Sequence, residues 1–123
     1  MNAKHYVSLS AAKKLKELGY DEYTHMYYNT LGELGFISRD FNRRLSNNST
    51  LSKYDYISAP TLLEAMDWLE ERGIYIELSW NPHRKKWWDT TIHRNRYVQD
   101  DTVYFLDRNE CMQKAIEKAL ELL

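Results

Sequence analysis

The sequence predicts an α+β fold, a mainly antiparallel sheet of about four strands with three helices in the order α-β-β-α-β-β-α. Two observations lead to this class. Apolar residues recur with a helical period in three segments, and with a period of two in the segments between them. The strand-like segments are joined by short turns, which connect antiparallel neighbours because a parallel pair needs a long crossover.

Length and composition are those of one folded domain. The 123 residues are near the commonest domain size, so a single domain over 1–123 is expected. Hydrophobic residues make up 43% and charged residues 28%, which argues against a disordered chain. No run of about eighteen apolar residues occurs, and the N-terminal segment lacks a signal-peptide pattern. A cytoplasmic protein with no membrane partner is therefore expected.

The first predicted helix runs from Ser8 to Leu18. Ser8 is a favoured N-cap residue, and Gly19 ends the helix because glycine readily adopts a left-handed backbone. Tyr20 then falls where it packs back on the last turn. The apolar face consists of Leu9, Ala12, Leu15 and Leu18.

The second predicted helix begins after Pro60. Thr61 and Glu64 have the spacing of a capping box, and Gly73 ends the helix with Ile74 packing back on it. The inward face consists of Leu62, Ala65, Met66 and Leu69.

The third predicted helix is at the C-terminus. Asp107 and Glu110 form its start signal, and Leu106 and Cys111 have the spacing of a hydrophobic staple. Its apolar stripe is typical of a helix that lies on a sheet. The stripe consists of Cys111, Met112, Ala115, Ile116, Ala119 and Leu120.

The clearest strand runs from Ile74 to Trp80, where apolar and polar residues alternate. Residues 81–85 have turn chemistry, and Trp87 to His93 is rich in residues that favour strands. These segments predict a β-hairpin. Side chains alternate between the two faces of a strand, so Trp88 lies on the same face of the returning strand as Thr90 and Ile92. This more apolar face favours Trp88 as the core tryptophan and Trp87 as the exposed one.

A second hairpin is predicted from a strand at Tyr23 to Asn29 and the apolar pair Phe36-Ile37. Residues 38–53 are mainly serine, asparagine and arginine and are predicted to form a long loop. The segment 94–105 stays open, since Val103 to Phe105 fits both a short edge strand and a chain returning to the last helix.

No residue pattern predicts catalysis, a metal site or a cofactor. Cys111 is the only cysteine, which excludes an internal disulfide, and its place on an apolar stripe indicates a buried, inert thiol. The four histidines lack the spacing of zinc ligands, and no glycine-rich loop precedes a helix. A small enzyme is therefore the least favoured class, and no catalytic, cofactor-binding or metal-binding residue is assigned.

The strongest candidate for binding is the hairpin region 83–97, where basic residues lie next to aromatic ones. Cations next to aromatic rings suit single-stranded nucleic acid, because they neutralise phosphates while bases stack on the rings. The alternative is that one tryptophan is core and the cations only solvate the turns. The candidate residues are Arg84, Lys85, Lys86, Trp87, Arg94 and Arg96.

Charge and aromatic content favour a protein partner or a homodimer over nucleic acid. The formal net charge is −1, so the whole molecule does not attract an anionic polymer. The second helix has an acidic excess and the hairpin a basic one, a dipolar arrangement that favours self-association. Ten tyrosines and four tryptophans exceed what a small core needs and are typical of binding patches.

The chain resembles a group of uncharacterised small proteins of gut Bacteroidetes and their phages or mobile elements. The resemblance rests on the segment 56–61, on the helix carrying Trp68 to Glu71, on the strand 74–76 and on the first helix. It covers most of the chain and implies a phage or mobile-element origin. It implies no activity and assigns no site residue.

Overall fold

The computed structural model describes residues 3–36, 45–48, 51, 54–99 and 102–123. Within them lie three α-helices and six strands in two three-stranded antiparallel sheets, which confirms the predicted α+β class and element order. The expected single sheet of about four strands is wrong. The extra strands have two residues each, too few to show an alternating pattern. The chain divides into two compact units, Met1–Thr61 and Leu62–Leu123, each with its own sheet.

The first unit begins with a 3₁₀ turn at Ala3–His5 and continues into helix α1, Leu9–Glu17. Ser8 is the N-cap as predicted, and its Oγ accepts a hydrogen bond from the Ala11 amide. The helix ends at Gly19, whose φ is +95°. The Tyr20 amide then donates to the Leu15 carbonyl at 2.8 Å, the closing bond of a Schellman motif, and the Tyr20 side chain is buried.

The sheet of the first unit has the order β2-β1-β3, with β1 at Met26–Tyr28, β2 at Leu34–Phe36 and β3 at Ile57–Ser58. The β1–β2 hairpin confirms the predicted second hairpin, although β1 is shorter than expected. Most of the predicted loop 38–53 lies outside the described residues. Asn47, which is described, is buried and donates to the Tyr20 carbonyl at 2.8 Å.

The second unit begins with helix α2, Leu62–Glu70. It ends at Gly73, whose φ is +80°, as the sequence predicts. Trp68 is buried on the inward face, and the predicted Met66 is only half-buried. The other predicted inward residues, Leu62, Ala65 and Leu69, are buried.

Helix α3, Arg108–Leu120, closes the second unit. Asp107 is its N-cap and accepts a hydrogen bond from the Asn109 amide at 3.0 Å. All six residues of the predicted apolar stripe are buried, which confirms the pattern. The predicted staple is wrong, because the Leu106 side chain is 77% exposed and lies away from the core.

The sheet of the second unit has the order β4-β5-β6, with β4 at Ile74–Asn81, β5 at Lys86–His93 and β6 at Arg96–Tyr97. This confirms the predicted first hairpin. Residues paired across antiparallel strands lie on the same face, and buried Ile74 and Ile76 identify the face on which the helices pack. The β5 residues on this face are Trp87, Asp89, Thr91 and His93.

Candidate binding surface at the hairpin end

The register of the β4–β5 hairpin places the adjacent tryptophans on the sheet faces opposite to those predicted. Trp87 pairs with Trp80 on the helix-facing side, whereas Trp88 pairs with Ser79 on the opposite side. The assignment of Trp88 to the core is therefore wrong, and both indoles are half-buried. The prediction had taken the face with the more apolar residues as the buried one. It failed because the helix-facing side of β5 carries the polar residue Asp89, which forms an ion pair with Lys118 of α3.

An aromatic and cationic cluster forms where the hairpin turn meets the start of α3. The rings of Trp80 and Trp87 are 5.4 Å apart, and the Arg108 guanidinium lies 5.9 Å from the Trp87 ring. The Arg84 guanidinium lies 4.6 Å from the Tyr104 ring. We call this cluster, together with the adjacent Leu106, the hairpin-end surface: Trp80, Arg84, Trp87, Tyr104, Leu106 and Arg108.

The peptide chain itself holds the two sides of this surface together. The amide of Trp87 donates to the Phe105 carbonyl at 2.7 Å, and the Phe105 amide donates back at 2.8 Å. In the turn, Asn81 Oδ1 accepts from the amides of His83 and Arg84 at 3.0 and 3.1 Å. The aromatic rings are therefore presented on ordered backbone.

The surface combines exposed apolar area with positive charge. Trp80 is 46% exposed and Leu106 is 77% exposed, so two large apolar side chains face solvent. Arg84 and Arg108 flank them and are also exposed, and the turn adds Lys85. The structure therefore presents an apolar patch bordered by cations.

The structure brings together only part of the predicted basic region. Arg84 and Lys85 lie in the β4–β5 turn and Lys86 begins β5, next to Trp87. The other two candidates lie at the far end of β5, Arg94 in the β5–β6 turn and Arg96 on β6. The eight residues of β5 separate the two groups by roughly 25 Å.

Sequence reasoning missed Tyr104, Leu106 and Arg108 as members of this surface. The sequence of Val103 to Phe105 fits both an edge strand and a chain returning to the last helix. In the structure, Phe105 forms an isolated antiparallel bridge with Trp87. The only indication in the sequence is the run of apolar residues directly before the N-cap Asp107. This run does not indicate which strand it pairs with.

The described residues give little support to nucleophilic or metal chemistry. Cys111 is buried, and burial together with the nearby Asp89 carboxylate raises the pKa of its thiol to about 11, against a smaller opposing effect of Lys118. The thiol therefore stays neutral at physiological pH. Among the described residues, no group of three or more histidine, cysteine, aspartate or glutamate side chains is placed to hold a metal ion.

Comparison of the chain with protein-family models, curated proteins and solved structures finds no match to any of them. The resemblance to small proteins of Bacteroidetes and their phages accordingly stays a prediction. In the part of the chain that the structure describes, every helix is too short or too polar to cross a membrane. Fold and surface thus define the protein only as an α+β chain with an exposed aromatic and cationic patch.

Proposed function

We propose that this protein is a non-catalytic interaction module that associates with a second copy of itself through the hairpin-end surface. The observation that carries the proposal is the exposure of Trp80 and Leu106 beside the arginines. Tryptophan and arginine are the residues that contribute most binding energy in protein interfaces. Large apolar side chains left in water next to such residues are typical of docking sites.

The same unit supplies a complementary surface on helix α2. Leu63, Asp67 and Glu70 recur at helical spacing, and all three are exposed. Leu63 is 65% exposed, so this acidic α2 face also has an apolar centre. An apolar patch with acids therefore matches an apolar patch with cations, which supports a contact between copies.

Each copy carries both surfaces, so the contact is head-to-tail. Such a contact joins different patches of the two copies, and each complex keeps one unused patch of each kind. Association then continues beyond two copies unless a ring closes. We expect concentration-dependent oligomers that dissociate as salt rises, because salt screens the charges at the rim.

The experiment is sedimentation velocity over a range of protein and salt concentrations. Arg84→Glu is expected to weaken association at least about tenfold, since it places an acid opposite the acidic α2 face. Asp67→Lys is expected to do the same from the other side. The matched control is Leu31→Asp, which changes an 81% exposed leucine outside both surfaces and should leave association unchanged.

Mixing the two charge variants gives the decisive result. Each variant keeps one native surface, so the intact hairpin end of Asp67→Lys can bind the intact α2 face of Arg84→Glu. We expect the mixture to recover the association that each variant lacks alone. A wild-type protein that stays monomeric at high concentration, or a mixture that stays monomeric, would contradict the proposal.

A further inference from the structure

A second exposed surface lies on the same sheet, at the end of β5 away from the hairpin-end surface. The helices of the second unit pack on the face that carries Ile74 and Ile76, and the residues that alternate with these form the outer face. There Tyr75 pairs with Ile92, and Ile92 pairs with Tyr97. We call this row across the three strands, two tyrosines with an isoleucine between them, the tyrosine row.

Both tyrosines of this row are open to solvent. Tyr75 is 45% exposed and Tyr97 is 70% exposed, whereas Ile92 between them is half-buried. Neighbouring strands are about 4.8 Å apart, which places the two tyrosines roughly 10 Å from each other. The row therefore offers two aromatic faces on hydrogen-bonded strands, the arrangement on which unpaired bases stack.

Two arginines border the tyrosine row. Arg94 lies in the turn between β5 and β6, and Arg96 is the β6 residue next to Tyr97. Both arginines are exposed, and neither forms an ion pair with a described residue. A guanidinium group stays charged at physiological pH and can bind phosphate through two parallel hydrogen bonds. Charge complementarity therefore favours a polyanion whose phosphates lie at the arginines while its bases lie on the tyrosines.

An acidic residue, Glu77, also lies on the outer face. It follows Tyr75 by two residues on β4, about 7 Å along the strand, and is exposed. A carboxylate only accepts hydrogen bonds, and in base recognition it accepts from the exocyclic amino group of cytosine. Thymine has a carbonyl oxygen at that position, which a carboxylate repels. Glu77 therefore favours cytosine over thymine on the Tyr75 ring.

We propose that the tyrosine row binds single-stranded nucleic acid with a preference for cytosine. The two tyrosines each stack on one base, the two arginines bind adjoining phosphates, and the carboxylate of Glu77 accepts a hydrogen bond from the cytosine amino group. The tyrosine row shares no residue with the hairpin-end surface or with the acidic α2 face. Binding therefore does not depend on self-association.

The test is fluorescence anisotropy with labelled cytosine and thymine strands of about eight nucleotides, at about 50 mM salt and up to about 200 μM protein. The cytosine strand is used as DNA and as RNA, and saturable binding of either form supports the proposal. It should bind at least about fivefold more tightly than the thymine strand. The proposal is overturned if no strand binds, or if the thymine strand binds as tightly.

The variant Arg84→Glu separates this proposal from self-association. It disrupts the hairpin-end surface, which lies about 25 Å away along β5 and thus beyond the screening length. The variant should bind the cytosine strand within about twofold of wild type, whether or not the wild-type protein self-associates. A loss of binding in Arg84→Glu would place the site at the hairpin turn and overturn the proposal.

Substitutions then assign the binding to the tyrosine row. Tyr97→Ala removes a stacking ring and should weaken binding at least about fivefold, whereas Tyr97→Phe keeps the ring and should bind as wild type does. The matched control is Tyr23→Ala, which removes a 60% exposed tyrosine from the first unit and should leave binding unchanged. If Tyr97→Ala does not fold, Arg96→Gln takes its place and should weaken the salt dependence. A folded variant that binds as wild type does overturns the proposal.

Glu77→Gln tests the preference for cytosine. An amide both donates and accepts hydrogen bonds, so it can pair with the thymine carbonyl as well as with the cytosine amino group. The variant should bind the two strands with nearly equal affinity. A cytosine preference that persists in the folded variant would overturn the role of Glu77.

Discussion

Cys111 shows how its surroundings set the chemistry of a single residue. Its thiol lies on the buried stripe of α3, and burial is the largest cause of its raised pKa of about 11. The Asp89 carboxylate disfavours the thiolate as well, whereas Lys118 partly opposes it. The sequence predicted the burial from helical spacing, but the influence of Asp89 comes from a strand distant in the sequence.

This raised pKa predicts a loss of stability at alkaline pH. The folded state holds the proton more tightly than the unfolded state, whose thiol has a pKa near 9.0. The stabilisation is therefore complete below about pH 9 and is lost as pH rises through 11, amounting to about 3 kcal/mol. Urea unfolding of wild type and Cys111→Ala at pH 8 and pH 10.5 measures it. Equal losses of stability between the two pH values in both proteins would contradict the prediction.

Removing each of two buried hydroxyl groups in the first unit is expected to change the stability of the protein differently. Ser58 Oγ is buried without a hydrogen-bond partner among the described residues. Thr24 Oγ1 donates to the carbonyls of Met26 at 3.0 Å and Leu45 at 3.3 Å. We expect Ser58→Ala to leave stability unchanged or raise it by up to about 1 kcal/mol, and Thr24→Val to lower it by about 1–3 kcal/mol. Chemical denaturation measures both, and equal losses would contradict the comparison.

At the scale of elements, local signals account for the helices and for the long hairpin. Caps, glycine stops and apolar stripes act within a few residues. The N-caps Ser8 and Asp107, the stops at Gly19 and Gly73 and the apolar stripe of α3 are confirmed. The short strand β6 was not predicted because the turn between β5 and β6 contains no glycine. Arg94 and Asn95 adopt φ values of +53° and +63°, which suit a two-residue hairpin but are unusual for arginine.

The helix stop at Gly73 gives an element-scale prediction. Its φ is +80°, and an added Cβ would meet no atom within 4 Å, so Gly73→Ala should cost about 1–2 kcal/mol from backbone strain alone. Gly35 is the control, because it lacks a positive φ and an added Cβ would make ordinary contacts with Tyr27 at 3.6 Å. Gly35→Ala is expected to change the midpoint of thermal unfolding little. A larger loss for Gly35→Ala would contradict the strain account.

At the scale of the whole molecule, the charge distribution bears on nucleic-acid binding. The net charge is −1, and the candidate cations form two groups at opposite ends of β5. One group has Arg84, Lys85 and Lys86, and the other has Arg94 and Arg96. A short single strand contacting one group would neutralise at most three phosphates.

This separation predicts a shallow salt dependence for any binding of single-stranded nucleic acid. The slope of log affinity against log salt should be near −2 for about three phosphate contacts, against about −3.5 for five. Fluorescence anisotropy with a short labelled oligonucleotide between about 50 and 200 mM salt measures the slope. A slope near the steeper value would show that all five cations act together.

The sequence by itself determined the α+β class, the three helices with their ends, the long hairpin and the buried stripe of α3. These features depend on spacing and turn chemistry within short segments, so composition and period suffice. Only the tertiary structure decided the division into two sheets, the face occupied by Trp87 and the loose ion pair of Asp89 with Lys118. It also decided that Arg108 joins Arg84 at one end of β5. Those outcomes depend on contacts between residues far apart in the chain, which no local pattern specifies.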